Sequence, residues 1–252
     1  MLITSPDNST VKMFAGLKNK KLRMELGRYL IEGYRAVKDS LRFIADPMIM
    51  FSQSAYEKYA SEFEGVRFCI CDDNVFCKLS DTENSQGIIC SANIPHNNPD
   101  FVSRYALLLD RIRDPGNMGT IIRTALAAGF SDIYCLNCVD AYNPKVVRSA
   151  MSAISRVNIF DIDIGGAEEI KSAGYIILAA DMSGENVFSS DITGRKLCLA
   201  IGNEANGLSE GVITMSDKVL CLPMCAGESL NAGVSAAVLM YELAFGRKNI
   251  SV

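Results

Sequence analysis

The stretch Tyr105-Ala106-Leu107-Leu108-Leu109-Asp110 decides the fold. A continuous apolar run that stops at an acid is the pattern of a strand covered on both faces, as in a parallel sheet. Similar runs follow at Asp132–Leu136, Tyr175–Ala180, Leu197–Ile201 and Val219–Leu222. Between most of them lie helical stretches, at Asn117–Ala128, Pro144–Ile154, Gly166–Ala173 and Asn231–Phe245. Strands alternating with helices predict an α/β domain built on a parallel sheet. Upstream, the polar segment Ser91–Asp100 carries Pro95, Pro99 and three Asn, which reads as a linker. Before it, a helix from about Ser9, a helix opening near Gly33, and strands near Met48–Phe51, Val66–Ile70 and Gly87–Cys90 predict a smaller αβ domain. The expected division is residues 1–95, a linker at 96–100, and residues 101–252.

Composition excludes several classes. Apolar residues make up 49% and charged residues 21% of the 252, so wholesale disorder is out. No apolar run approaches the roughly 20 residues of a membrane helix. The first residues, Met1-Leu2-Ile3-Thr4-Ser5-Pro6-Asp7-Asn8, lack the basic and apolar regions of a secretory signal. Nine cysteines are too sparse for a disulfide scaffold and read as reduced thiols of a cytoplasmic protein. Cys135 and Cys138 form a lone C-x-x-C with no matching pair, so a zinc site is not expected, and they read as core thiols. Cys69 and Cys71 alternate along a strand and read as packing residues. The single histidine, His96, lies in the linker, so neither a His-rich metal site nor a Ser-His-Asp triad is expected.

Charge is informative once the chain is split. The net charge is −4, which argues against a uniformly basic coat. Residues 1–42 nevertheless hold nine Lys/Arg against four acids, while the remainder carries a net −9. The basic end is either a phosphate-binding surface or a Lys-rich solvated helix face.

Three strand ends carry polar, Gly-rich segments, and ligands of open α/β sheets bind at the carboxyl ends of strands. The first is Asp110–Ala125, where Pro115-Gly116 makes a turn and Asn117 reads as the N-cap of the next helix. Arg123 reaches back toward the same helix end, or is a plain surface arginine. The second is Ile201–Ser209, in which Gly202 and Gly207 bracket a loop suited to close backbone approach, or a simple strand-helix turn. Leu208 stands where a phosphate-binding loop needs Lys, so that reading fails. The third, Leu222–Asn231, opens the last helix, with Ser229 or Asn231 as its cap.

Together these segments resemble the three motifs of the SpoU family of RNA ribose 2′-O-methyltransferases, in the SPOUT class. Asn117, Gly119, Thr120, Arg123 and Ala125 match the first, Gly202–Ser209 the second, and Leu222–Asn231 the third. The first 95 residues resemble the family's substrate-binding domain, similar to ribosomal protein L30. The residues that carry this are Lys21-Leu22-Arg23, Tyr29–Gly33, Thr82-Glu83 and Gln86-Gly87-Ile88.

The resemblance implies a C-terminal parallel-sheet domain with a deep trefoil knot, a homodimer, and S-adenosylmethionine as cofactor, with no metal and no membrane. It implies cofactor contacts from Gly202, Asn203, Glu204, Gly207, Leu222, Met224, Ser229, Leu230 and Asn231. Arg123 matches the arginine assigned as catalytic. Asn117 matches its neighbour, with Glu204, Ser229 and Asn231 orienting polar groups. Arg148 resembles a second, RNA-holding arginine, and Lys18, Lys20, Lys21 and Arg23 are candidates for phosphate contacts. Ala205 stands where the family often has Gly, which tolerates a positive φ. The implied reaction is methylation of a ribose 2′-hydroxyl in 23S ribosomal RNA. The alternatives are a tRNA 2′-O-methyltransferase and a catalytically inactive RNA-binding protein. A nicotinamide oxidoreductase lacks its G-x-G-x-x-G.

Overall fold

The computed structural model describes residues 2–192, 195–226 and 230–246. The chain divides into two compact units, one holding the residues up to His96 with Tyr142–Arg156, the other Asn97–Ala141 and the described residues from Val157 onward.

The first unit contains β1 (Leu2–Ile3), α1 (Ser9–Gly16), α2 (Lys20–Leu26), β2 (Arg28–Glu32), α3 (Tyr34–Ser40), β3 (Met48–Ser52), α4 (Gln53–Tyr59), β4 (Arg67–Cys71), α5 (Asp73–Leu79) and β5 (Ile88–Asn93). The strands form one sheet in the order β1-β4-β3-β5-β2. In it β5 runs antiparallel to β2 and β3, and the other pairs are parallel. Helices α2, α4 and α5 have seven residues each and were not expected. Two turns are too few for an apolar period to repeat, and α3, equally short, was expected from the Gly33 that opens it. The start of the polar segment Ser91–Asp100 is not linker, because Ser91–Asn93 belong to β5, which ends before the expected linker at 96–100. Ser91 is buried there, and its Oγ accepts from Arg28 Nε at 3.1 Å.

The second unit contains β6 (Tyr105–Asp110), α6 (Pro115–Ala128) and β7 (Asp132–Leu136). The next helix, α7 (Pro144–Ala150), belongs to the first unit, and then β8 (Asn158–Ile162), α8 (Ile164–Ser172), β9 (Ile176–Asn186), β10 (Leu197–Ile201), α9 (Glu210–Met215), β11 (Lys218–Cys221) and α10 (Ala232–Phe245) follow. The six strands are all parallel, in the order β11-β9-β10-β6-β7-β8. Ala106–Leu109 of β6 have no exposed surface, as the opening run requires. Each such Leu contributes about 1.5–3 kcal/mol by burial. β8 was not expected; it is an edge strand in which Asn158 and Asp161 are exposed, so the apolar run is broken. The helix expected over Pro144–Ile154 stops at Ala150, because Met151 has φ 55° and the chain continues as a 3-10 turn. Within the first unit this segment packs on β2 and α3, with the Tyr142 ring 4.9 Å from that of Tyr29.

The order of strands places the site. From β6 the chain proceeds to β7 on one side; from the adjacent β10 it proceeds to β11 on the other. Connections that diverge from neighbouring parallel strands open a crevice at the strands' carboxyl ends. The chain then returns from the edge strand β11 to lay α10 against α6 and β10. Among the described residues no helix is long and apolar enough to cross a membrane.

Candidate active site

The crevice is built first by the end of β6. Asp110, 1% exposed, accepts the Ser209 amide on its Oδ2 at 2.5 Å and pairs with Arg111 Nε at 3.2 Å. Arg111 adopts φ 59°, a left-handed conformation that costs a non-Gly residue free energy. That conformation is held by the partners it makes. Arg111 donates through Nη2 to the Gly207 carbonyl at 3.3 Å, and its own carbonyl accepts from Asn203 Nδ2 at 3.1 Å. The end of β6 therefore clamps the loop that follows β10.

That loop closes on itself. Asn203 and Gly207 exchange both backbone hydrogen bonds, at 3.0 and 2.9 Å, and Asn203 Oδ1 accepts from the amides of Ala205 and Asn206. The positive φ in the loop falls on Gly207, at 61°, and Ala205 is not among the positive-φ residues. An alanine at 205 therefore fits the loop without strain.

Helix α6 begins two residues before the expected Asn117. Its N-cap is Asp114, whose Oδ1 accepts the Asn117 amide at 2.8 Å, not Asn117. Pro115 follows at the first helical position, where its missing N–H is no loss. The correction matters chemically. Relieved of capping, the Asn117 side chain donates through Nδ2 to Glu204 Oε1 and accepts on Oδ1 from Asn231 Nδ2 at 2.8 Å. Asn231 in turn caps α10, its Oδ1 accepting from the amides of Gly233 and Val234. The three strand-end segments thus meet in one chain of hydrogen bonds, Asn231 to Asn117 to Glu204. A carboxylate only accepts, so it orients the Asn117 amide with nitrogen toward Glu204.

Beside this chain lies a cavity of about 380 Å³ between the middle of β9, the ends of β10 and β11 and the start of α10. Its size is within the roughly 300–1,000 Å³ of small-molecule sites. Gly202, Asn203, Glu204, Gly207, Leu222, Met224 and Leu230 line it, as the motifs led us to expect. Asn231 does not line it but stands next to it as the helix cap. Ser229 lies outside the described residues. Asp181 and Met182, at the end of the buried part of β9, also line the cavity and were not expected. The available signal was an acid placed directly after an apolar strand, as Asp110 is in β6.

The lining suits S-adenosylmethionine. Ile201, Leu220 and Leu239 supply apolar surface for a flat base. The charged lining residues are Asp181 and Glu204, with no lysine or arginine among the described ones. Two carboxylates attract a sulfonium or ammonium and repel a diphosphate. The nicotinamide dinucleotide reading therefore fails on charge as well as on motif.

The remaining predicted residues divide sharply. Arg123 is exposed on α6, with no ion pair or hydrogen bond among the described residues, and nothing joins it to the Asn117 chain. Lys20 and Lys21 are exposed at the start of α2. Arg23 is corrected: it is 1% exposed, and its Nη1 donates to the carbonyls of Leu17 and Lys18, so it closes the turn after α1 and cannot reach a phosphate. Lys18 pairs with Asp81 at 2.7 Å, and Arg148 pairs with Asp81 at 3.4 Å and Glu32 at 3.5 Å. Burial pushes Asp81 up, but the hydrogen bonds and charges of Lys18 and Arg148 outweigh it and hold its carboxyl below the usual range. Cys135 is buried, and the half-buried Cys138 donates to the Leu109 carbonyl at 3.1 Å. The described residues contain no group of three or more His, Cys, Asp or Glu that could hold a metal ion.

Known proteins align with this geometry. A 23S rRNA (guanosine(2553)-2′-O)-methyltransferase of Bacillus subtilis is 28% identical over 247 residues, 96% of this chain and 98% of that one. The mitochondrial rRNA methyltransferase 3A of Danio rerio is 28% identical over 97% of this chain and 69% of its own. The crystal structure of an AdoMet-bound rRNA methyltransferase from Sinorhizobium meliloti superposes with TM-score 0.87 over 100% of this chain and 99% of that one, at 24% identity, a shared fold. Residues 8–90 match the MRM3-like substrate binding domain. With residues 104–241, more than half of its length, matching the SpoU rRNA Methylase family and the three motif segments joined at one crevice, the chain belongs to that family.

Proposed function

We propose that the protein methylates a ribose 2′-hydroxyl of 23S ribosomal RNA, with the reaction centred on the Asn231–Asn117–Glu204 chain. Family membership makes it an RNA methyltransferase that uses S-adenosylmethionine. The 23S substrate is supported by the Bacillus subtilis relative, and RNA binding by the match of residues 8–90 to a substrate-binding domain. The observation that carries the reading is the meeting of Asn117, Glu204 and Asn231 at the mouth of a cavity lined by two carboxylates.

S-adenosylmethionine, when bound, supplies a methyl group on a sulfonium, open to in-line attack. Gly202, Asn203, Glu204, Gly207, Leu222, Met224 and Leu230 bind it, and we place Ser229 with them by motif alone. The chain's own contribution is first orientation, which supplies up to about 7–11 kcal/mol in well-aligned reactions. Asn117 and Glu204 hold the incoming ribose, and Asn231 keeps Asn117 in its productive rotamer. Arg123 binds the neighbouring phosphate and offsets charge that develops on the 2′-oxygen. A guanidinium stays protonated and acts by electrostatics, not as a base.

Lys20 and Lys21 contact backbone phosphates, and binding by such contacts weakens steeply with salt. Lys18 and Arg148 contribute only after exchanging Asp81 and Glu32 for a phosphate. We assign a homodimer from the family resemblance, with Val234, Val238, Tyr241 and Phe245, exposed along α10, as its contact. The protein works in the cytoplasm, where its ribosomal substrate is.

The test is transfer of labelled methyl from S-adenosylmethionine to unmodified rRNA and tRNA transcripts by wild type and Arg123→Ala. The expected result is label in 23S rRNA from wild type alone, at a linkage resistant to alkali, with cofactor binding kept in the variant. Label in tRNA only would move the substrate. Loss of cofactor binding in Arg123→Ala would overturn the division of roles.

A further inference from the structure

We propose that Asp181 binds the ribose diol of the cofactor and so sets the depth at which it sits in the cavity. The inference rests on the S-adenosylmethionine reading. Asp181 lines the cavity where β9 leaves the fully buried run that ends at Ala179. Its carboxylate is held locally. Oδ1 accepts from the Ser183 amide at 2.9 Å and from the Ser183 hydroxyl at 2.6 Å. Oδ2 has no hydrogen-bond partner among the described residues, and it lies 3.7 Å from the point a Cβ on Gly207 would occupy. The oxygen that faces the loop is therefore fixed in direction and unspent. The two hydrogen bonds from Ser183 also hold the carboxyl below the usual range, so it is an anion at any working pH.

Its position decides which part of the ligand it meets. Glu204, the other lining carboxylate, is committed to Asn117 and Asn203, on the side of β10 that faces β6. The reacting sulfonium belongs there. Asp181 stands on β9, across β10 from that side. Away from the sulfonium the ligand offers three surfaces. The base edge offers one amino donor, flanked on both sides by ring acceptors that repel the second oxygen of a carboxylate. The amino-acid tail carries its own carboxylate beside its ammonium. The ribose offers two adjacent O–H donors and no charge. Asp181 stands just past the last pair of the β9–β10 ladder, Ala179 with Ala200, and an acid where a parallel ladder ends is well suited to ribose hydroxyls, through charge-assisted hydrogen bonds.

The test is calorimetric titration of wild type and Asp181→Asn with S-adenosylhomocysteine and with 5′-methylthioadenosine, which keeps the diol and lacks the tail. The variant keeps an oxygen for Ser183. We expect it to bind both ligands about tenfold or more weakly, by similar factors, as loss of a hydrogen bond to a charged group implies. Unchanged affinity would overturn the proposal, and so would a loss confined to S-adenosylhomocysteine, which would place the ammonium at Asp181. Wild type with the 2′,3′-dideoxy form of 5′-methylthioadenosine checks the same point without a variant. It should bind about tenfold more weakly than the parent, and equal binding overturns the assignment. Failure of wild type to bind either parent ligand would instead overturn the cofactor reading itself.

Discussion

Gly202 has no room for a side chain. A Cβ there would stand 2.2 Å from the Gly207 carbonyl carbon and 2.4 Å from the Leu208 nitrogen, and backbone cannot yield as a flexible side chain can. We expect Gly202→Ala to open the Asn203–Gly207 loop and weaken S-adenosylhomocysteine binding by more than about tenfold, since the glycine is what permits this approach. Calorimetry on the variant checks this, with circular dichroism to confirm a folded sheet. Ala205→Gly is the control and should leave binding unchanged, because position 205 has no positive φ to relieve. At this scale the motif residues of the loop were legible, and the unspent oxygen of Asp181 was not. An acid after a strand has the same letter whether it caps, pairs or binds.

Helix α6 shows how an element can decide a residue's role. Asp114 and Asn117 are both good caps, and local sequence cannot choose between them. Pro115 settles the matter, because its fixed φ suits the first helical position and starts the helix after Asp114. Removing Asp114 should then have two effects. Asp114→Ala is expected to cost about 1 kcal/mol, the usual value of a cap, or roughly 2–4 °C in Tm for a chain of this size. It should also lower kcat more than the KM for cofactor, because Asn117 becomes the available cap and is drawn from Glu204. Thermal melts with steady-state kinetics test both, and Asp114→Asn should restore both. A fall in Tm with unchanged kcat would show that Asn117 keeps its partners without the aspartate. Short helices such as α4 and α5 were not legible in the sequence because periodicity needs length, whereas α3, equally short, was marked by Gly33 at its start.

The α10 helix raises a question that belongs to the whole molecule. Val234, Val238, Tyr241 and Phe245 recur every three or four residues along it and are all exposed, with Phe188 also exposed beside the far end of the stripe. A row of this kind on a folded chain marks a contact surface. If two copies meet there, Tyr241→Glu places a charge in the contact. Light scattering coupled to gel filtration should then give a monomer mass for the variant and a dimer mass for wild type. Equal masses would move the interface elsewhere. Arg23 and Arg148 belong to this scale as well. Arg23 is a phosphate candidate by its basic segment, and Arg148 an RNA-holding arginine by resemblance to the family. One closes a buried turn, and the other is already paired with Glu32 and Asp81.

The parallel sheet and the three strand-end loops were readable along the chain, because burial on both faces forces unbroken apolar runs and sharp loops force Gly, Pro and Asn. Those are constraints a residue meets with its neighbours in sequence. The pairing of Asn117 with Glu204, 87 positions away, and with Asn231, 114 positions away, is of another kind. So are the burial of Arg23, the clamp of Arg111 on Gly207 and the free oxygen of Asp181. Each depends on which segments the strand order brings side by side, and a polar side chain takes its role from the partner it meets there.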